Sequence, residues 1–263
     1  MATGLLLMAF LGLCGAHQGH NHGANAEHST DTLGKEDITQ IIQRMNNASN
    51  EYYEGDLMRP KTRSAMKCAD SPFSCRWPKS NNGKVEIAYV LSDRYDSVEK
   101  NEIVRALKDF ETKTCIRFNP RQADVHYLLF EPHTGCGSLL GRNGYKQTVS
   151  LAKFGCVYFG IIQHEVMHAL GFHHEHNRSD RDQYVQIHMD RIMQSFKHNF
   201  EKKDSDNMGT PYDYSSIMHY SRNGFGEKQA ETITPIPDPN VPIGQRDQLS
   251  RLDVLKINLL YKC

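Results

Sequence analysis

The run His164-Glu165-Val166-Met167-His168-Ala169-Leu170-Gly171-Phe172-His173-His174-Glu175 spaces three histidines and a glutamate as a metal-dependent reaction would need them. On a helix turning about 100° and rising about 1.5 Å per residue, His164 and His168 share one face a turn apart, so two imidazole nitrogens converge on one ion. The same helix continued to His174 would carry that ring roughly 15 Å from His164, whereas Zn–N bonds are about 2.0–2.1 Å. The helix must therefore stop between them. Gly171 stands where the stop is needed, since glycine enters the left-handed conformation of a helix C-cap without steric cost, and the chain can then swing His174 back as third ligand. Three neutral imidazoles leave the fourth position on one Zn²⁺ open, and zinc there lowers the pKa of bound water toward about 7. Glu165, beside His164, is suited to take a proton from that water and pass it to a leaving amine. The chain is rich in histidine, 14 of 263 residues, so a chance cluster is the competing explanation. Shuffled chains of this composition give the set on the order of once in ten thousand.

The residues that follow sharpen the pattern. After His174 the chain reads HEHNRSDRDQYV, with Glu175, Arg178, Asp180, Arg181 and Asp182, and further on comes Ser216-Ile217-Met218-His219-Tyr220. These residues resemble the astacin family of metzincin zinc endopeptidases, whose signature HExxHxxGFxHExxRxDRD and methionine turn SxMHY both match in full. The resemblance spans about 64–263 and separates the chain from matrixins, which lack the HExxRxDRD extension. It implies that His164, His168 and His174 bind zinc, that Glu165 is general base and acid, and that Met218 floors the histidines. It also implies that Tyr220 ligates zinc at rest and swings away to hydrogen-bond the tetrahedral intermediate; a phenol beside the metal can stabilise that oxyanion. For Met218 a buried gap-filler is equally good chemistry. Glu175 resembles the family glutamate that contacts the mature N-terminal region, with an ion pair to Arg178 or Arg181 as the alternative. Tyr53-Glu54-Gly55-Asp56 resembles the family's aspartate-switch motif FxGD, with Tyr in place of Phe. By that resemblance Asp56 occupies the open zinc position in the zymogen; a solvated turn at Gly55 is the alternative.

Other stretches must carry and position these groups. The start, MATGLLLMAFLGLCGAHQ, has an apolar core from Leu5 to Leu13 followed by small residues, as in a secretory signal cleaved near Ala16. That core is too short to span a bilayer and no later segment reaches the needed length, so no membrane anchor is expected. Residues 17–28 are polar and Gly/Asn/His-rich, so disorder is the expectation; metal handling by His17, His20, His22 and His28 is the alternative. Ile38, Ile41, Ile42 and Met45 then repeat at helical spacing behind Asp37 as N-cap, giving a short amphipathic helix that needs another surface, which the cleft would provide. Arg59-Pro60-Lys61-Thr62-Arg63 is a basic, exposed linker suited to a trypsin-like protease cutting after Arg63. The expected organisation is thus a signal peptide over 1–16, a propeptide over 17–63 and a catalytic domain over 64–263.

Within that domain Val85, Ile87 and Tyr89 alternate as a strand, and Ile103, Val104, Leu107 and Phe110 follow at helical spacing after a cap at Asp96 or Ser97. Val125 to Phe130 and Gln147 to Leu151 are further strands around a Gly-rich loop, Gly135 to Gly144. No Lys-Ser/Thr follows that loop, so it is no phosphate site. The resemblance implies that a strand of this lobe lies along the cleft and pairs with an extended peptide substrate. Ile192, Phe196 and Phe200 predict a helix in the C-terminal lobe, Pro235, Pro237, Pro239 and Pro242 a rigid loop that ties the lobe together, with lining the leaving-group side of the cleft as the alternative, and Ser250 with Asp253 the cap of a last helix carrying Leu252, Leu255 and Leu259. Asn47-Ala48-Ser49 and Asn177-Arg178-Ser179 fit the glycosylation pattern, the second close enough to His174 to be enclosed.

Seven cysteines become six once Cys14 leaves with the signal: Cys68, Cys75, Cys115, Cys136, Cys156 and Cys263. An even count in an exported protein argues for disulfides, although many connectivities are open. The resemblance implies Cys115–Cys263 and Cys136–Cys156, leaving Cys68–Cys75 as a local bridge that resembles the hatching-enzyme and nephrosin-like six-cysteine astacins. Formal net charge is zero, so no field for nucleic acid is implied. The expected fold is α+β and two-lobed, of metzincin type: an N-terminal lobe with a twisted mixed sheet and the zinc helix, and a smaller irregular C-terminal lobe with a terminal helix. The expected protein is a secreted, monomeric zinc endopeptidase, released directly or through secretory granules as a zymogen. By resemblance its substrate is egg-envelope protein, or that of a nephrosin-like protease of another tissue. A secreted protein that only binds zinc is the rival.

Overall fold

A computed structural model of the chain describes residues 38–46, 51–59 and 75–263. The expected signal peptide, the polar stretch 17–28, Asp37, Asn47, the scissile linker after Arg59, Ser64 and Cys68 lie outside the described residues.

The first described element is the amphipathic helix, α1 (Ile38–Asn46), followed by a two-rung hairpin, β1 (Tyr52–Tyr53) and β2 (Leu57–Met58). Then come β3 (Val85–Leu91), α2 (Ser97–Lys113), β4 (Ile116–Pro120), β5 (Tyr127–Glu131), β6 (Cys136–Ser138), β7 (Lys146–Leu151) and α3 (Phe159–Ala169). The remainder is sparse: β8 (Val185–Ile187), β9 (Ile233–Pro235) and α4 (Arg251–Tyr261), joined by short 3₁₀ turns and irregular chain. The described residues fall within one compact unit. No described helix is long and apolar enough to cross a membrane.

Seven strands make one mixed sheet in the order β1-β2-β6-β7-β5-β3-β4, with β6 antiparallel to β7 and the β4, β3, β5 and β7 neighbours parallel. Alternation puts Val85 and Ile87 of β3 and Leu128 and Phe130 of β5 fully inside. Ile103, Leu107 and Phe110 of α2 are buried as well, and the N-terminus of that helix is fixed by a capping box between Asp96 and Glu99. The sheet's far edge is the instructive part. β6 has β7 on one side and β2 on the other, with Leu57 registered parallel to Ser138. The segment before residue 60 therefore completes the sheet beside the catalytic lobe. α1 seats it there: Ser221 N–H donates to Thr39 Oγ1 (2.9 Å), Phe225 N–H to Gln43 Oε1 (3.1 Å), and Asn46 Nδ2 to the carbonyls of Gly55 and Cys136 (2.8 and 2.7 Å).

Several expectations shift. The strand expected from Val125 begins at Tyr127, with Val125 exposed, and the Gly-rich loop conceals β6, a strand too short to show an alternation. Ile192, Phe196 and Phe200 do not lie on one α-helix: Ile192 forms an isolated bridge with Gly226, and the other two fall in a 3₁₀ segment, Gln194–Phe200. They pack nonetheless, into a second core with Val185, Tyr212, Tyr220, Phe225 and Ile233. The Pro-rich stretch does tie its lobe together, Ile236 N–H donating to Tyr184 O and Tyr214 Oη to Ile236 O. α4 is capped by Ser250 and Asp253 as expected, but Leu255 and Leu259 point outward. Its inner face carries Asp253, Lys256, Ile257 and Tyr261 instead, because polar groups on that face have partners below. Cys115–Cys263 and Cys136–Cys156 are bonded; Cys75 is also disulfide-bonded, its expected partner Cys68 lying outside the described residues.

Candidate active site

α3 is enclosed on every side, all its residues from Gly160 to Ala169 being buried, as for a helix at the centre of a molecule. It ends where the spacing argument requires. Leu170 is the C-cap and Gly171 has φ of +103°, a left-handed value; a Cβ there would find its nearest neighbour at 3.9 Å, so backbone conformation rather than space makes the position glycine. The chain doubles back and brings His174 to His164 and His168, with ring centroids 4.7–5.3 Å apart.

The ring orientations are set from behind. His164 Nδ1 lies 2.8 Å from the Ile217 carbonyl and His168 Nδ1 2.8 Å from the Phe172 carbonyl. A carbonyl can only accept, so each proton sits on Nδ1 and each Nε2 presents its lone pair to the common centre. Burial pushes His168 down to about 4, keeping it neutral as a metal ligand must be.

The fourth group at that centre comes from the β1–β2 hairpin. Asp56 Oδ2 lies 2.9 Å from His164 Nε2, and Oδ1 lies 3.3 Å from His168 Nε2 and 3.2 Å from His174 Nε2. All four side chains are buried and their ligand atoms fall within 4.8 Å of one another. Among the described residues this is the metal-competent cluster of His, Cys, Asp and Glu. Donors of a tetrahedral zinc stand about 3.4 Å apart, close to these separations. His168 Nε2 and Asp56 Oδ1 have no hydrogen-bond partner despite burial, as expected of atoms that serve a cation. The set fits Zn²⁺. Burial alone would raise the Asp56 carboxyl, but His174, His168 and His164 outweigh it and hold it well below the usual range. Glu165 goes the other way, raised well above its ordinary value by burial and then by the Asp56 charge, and both its oxygens lack a partner.

Tyr220 does not face the histidine nitrogens here. Its Oη donates to the Glu54 carbonyl at 2.7 Å, and burial keeps the phenol's proton in place. Gly55 makes that contact possible: it has φ of +86°, and a Cβ there would sit 2.8 Å from Tyr220 Oη. His176, which the spacing did not single out, stacks on Tyr220 with centroids 3.9 Å apart.

Met218 is buried in the turn below, and that turn hangs on α4. Asp253 accepts from Ser216 Oγ (2.6 Å) and from the Ile217 N–H (2.9 Å) as well as from the Ser250 N–H of its own cap (2.9 Å). The carbonyl of Ile217 is the one that orients His164, so a helix cap positions a ligand through one intervening peptide unit. Glu175 is buried and pairs with Lys256 Nζ (2.5 Å) and Arg178 (3.1 Å); Arg181 instead binds the carbonyls of His176 and Phe200. Asn177 is fully buried and its Nδ2 donates to the Asn199 and Glu201 carbonyls, so this sequon is closed to a glycan.

Residues 74–262 match the model of the Astacin peptidase family. The chain belongs to the astacin family. Astacins are zinc metalloendopeptidases, and one zinc ion per chain is the cofactor that the three histidines suit. Among its relatives, the Low choriolytic enzyme of Oryzias latipes is 52% identical over 98% of this chain and 97% of its own length. The High choriolytic enzyme 1 of the same fish is 46% identical over 100% and 98%. The solved structure of the latter, a hatching enzyme zinc-protease, superposes with a TM-score of 0.72, covering 76% of this astacin and all of that chain. Myroilysin, 18% identical with a TM-score of 0.52, shares the fold.

Proposed function

We propose that the chain is a secreted zymogen of a zinc endopeptidase that digests egg-envelope protein, and that residues 1–16 are its signal peptide, 17–63 its propeptide and 64–263 its catalytic domain. The observation that carries this reading is the Asp56 carboxylate lying among the nitrogens of His164, His168 and His174. An acidic side chain in that place denies the metal its open position, and the hairpin bearing it precedes a basic linker suited to cleavage after Arg63. The egg-envelope substrate is supported by the names of the choriolytic relatives.

In the activated protein, His164, His168 and His174 would hold zinc, which supplies a Lewis acid able to polarise water and a peptide carbonyl. Departure of β2 frees the outer edge of β6, where the Ser138 N–H now binds the Asp56 carbonyl at 3.2 Å, and an extended substrate can take that edge. Glu165 takes the proton of the attacking water and passes it to the leaving amine; loss of the Asp56 charge removes one of the two causes that raise its carboxyl, burial being the other. Tyr220, released from Glu54, would be a further residue able to hold the metal at rest, and its phenolic hydrogen can be donated to the oxyanion during attack. The protein acts as a monomer on peptide substrate.

Full-length protein treated with trypsin is expected to acquire Ser64 as its N-terminus and, with it, chelator-sensitive hydrolysis of casein and of isolated egg envelopes. Protein cut at Arg63, holding stoichiometric zinc and still inert toward casein, would refute the peptidase reading. Casein turnover without envelope digestion would refute only the substrate.

A further inference from the structure

Glu54 precedes Asp56 by two residues and makes contacts that no zinc-blocking role requires. Its backbone is left-handed, φ +51°, an unfavourable conformation for a residue with a Cβ, and its side chain is turned into the protein with 3% exposure. There its Oε1 lies 2.5 Å from Lys203 Nζ and its Oε2 3.5 Å from His173 Nδ1. Both partners belong to the catalytic lobe and neither is itself deeply enclosed, His173 keeping 31% and Lys203 26% side-chain exposure. Lys203 is held in place by its own N–H, which donates to the Asn177 carbonyl at 2.7 Å.

An acidic side chain thus sits in a preformed cationic niche beside the reacting centre. An extended chain advances about 3.3–3.6 Å per residue, so the niche is within two residues of whatever stands at the histidines. The geometry points to Lys203 and His173 as a specificity subsite that, once the propeptide is gone, receives a Glu or Asp side chain of the substrate near the scissile bond. Glu54 is the placeholder that fills it in the zymogen. The pairing recruits a flexible ammonium, a point charge that tolerates either carboxylate length. A substrate lacking the acid leaves Lys203 hydrated rather than paired, and discrimination arises from that difference. This inference rests on the reading of 17–63 as a removable propeptide.

The test uses trypsin-activated protein and quenched fluorescent decapeptides that differ only by Glu or Gln at each of the three positions on either side of the cleaved bond. At one position the Glu peptide is expected to be hydrolysed with kcat/KM about tenfold above its Gln twin, a size in keeping with one charge-assisted contact. The ratio falls to about one in Lys203→Gln, persists in Lys203→Arg, and gives way to a preference for Lys in Lys203→Glu. Equal hydrolysis of Glu and Gln at all six positions by the unsubstituted protein would overturn the subsite, as would a preference that survives Lys203→Gln. Activated protein that cleaves neither peptides nor casein would overturn the peptidase reading and this inference together, which separates the two failures.

Discussion

Exchanging Asp56 for Asn keeps the shape of the side chain and removes its charge. The carboxylate spans all three histidines with contacts of 2.9–3.3 Å and is 1% exposed. With the ring protons of His164 and His168 on Nδ1, these contacts are the separations of groups that share one cation, and removing the charge should cost about one charge-assisted contact, roughly 2–3 kcal/mol. At about 1.4 kcal/mol per decade, the fraction of uncut protein with an open centre rises on the order of 30- to 150-fold. Release stays incomplete, because α1 and the β2–β6 pairing still hold the hairpin through Thr39, Gln43 and Asn46. The assay is turnover of a fluorogenic peptide by uncut Asp56→Asn protein, its integrity verified by intact mass and its zinc by atomic absorption. Uncut, zinc-replete variant within about threefold of the unsubstituted zymogen would refute the argument that this carboxylate is what keeps the centre silent.

Glu165→Gln is expected to keep zinc and fold but lose peptidase activity by several orders of magnitude, since a buried proton carrier is removed; near-normal turnover would refute its role. Asp253→Ala strips three bonds from the cap and the turn beneath His164 and should cost about 3 kcal/mol, read as a fall in Tm with weakened zinc retention; an unchanged Tm rules the coupling out. Glu54→Gln should destabilise the hairpin's docking by about 3 kcal/mol at neutral pH, following from a carboxyl held to about 2 against an ordinary 4.5. Because the docked value is the depressed one, that contribution is complete above pH 4.5 and is lost as pH falls toward 2. The Tm gap between unsubstituted and variant zymogen should thus be constant from pH 7 to 5 and shrink below 4.5; a gap that narrows already between pH 7 and 5 contradicts the assignment.

The metal centre was legible because its constraint is local. His164 and His168 follow from helical pitch, and Gly171 from the need to leave the helix before His174. Elements with strong end signals were equally readable: the Asp96–Glu99 and Ser250–Asp253 boxes fix where α2 and α4 begin. What sequence could not supply is the far side of each contact. β6 has three residues and owes its existence to the partners on either flank, so no period announces it. The face of α4 was misjudged because Leu255 and Leu259 look like core, whereas Lys256 and Asp253 are the residues with buried work to do, for Glu175 and for the methionine turn. His176 and Lys203 lie outside the signature's expected roles, and only the folded chain brings one against Tyr220 and the other against Glu54.

The hairpin reaches the histidines with a side chain and never with its main chain. The carbonyl of Glu54 is taken by Tyr220, that of Gly55 by Asn46 and that of Asp56 by Ser138. On the zymogen reading proposed above, none of these three carbonyls is offered for attack, and the segment resists autolysis while it stays docked. A synthetic peptide copying residues 52–58 should accordingly behave as a reversible competitive inhibitor that is recovered intact.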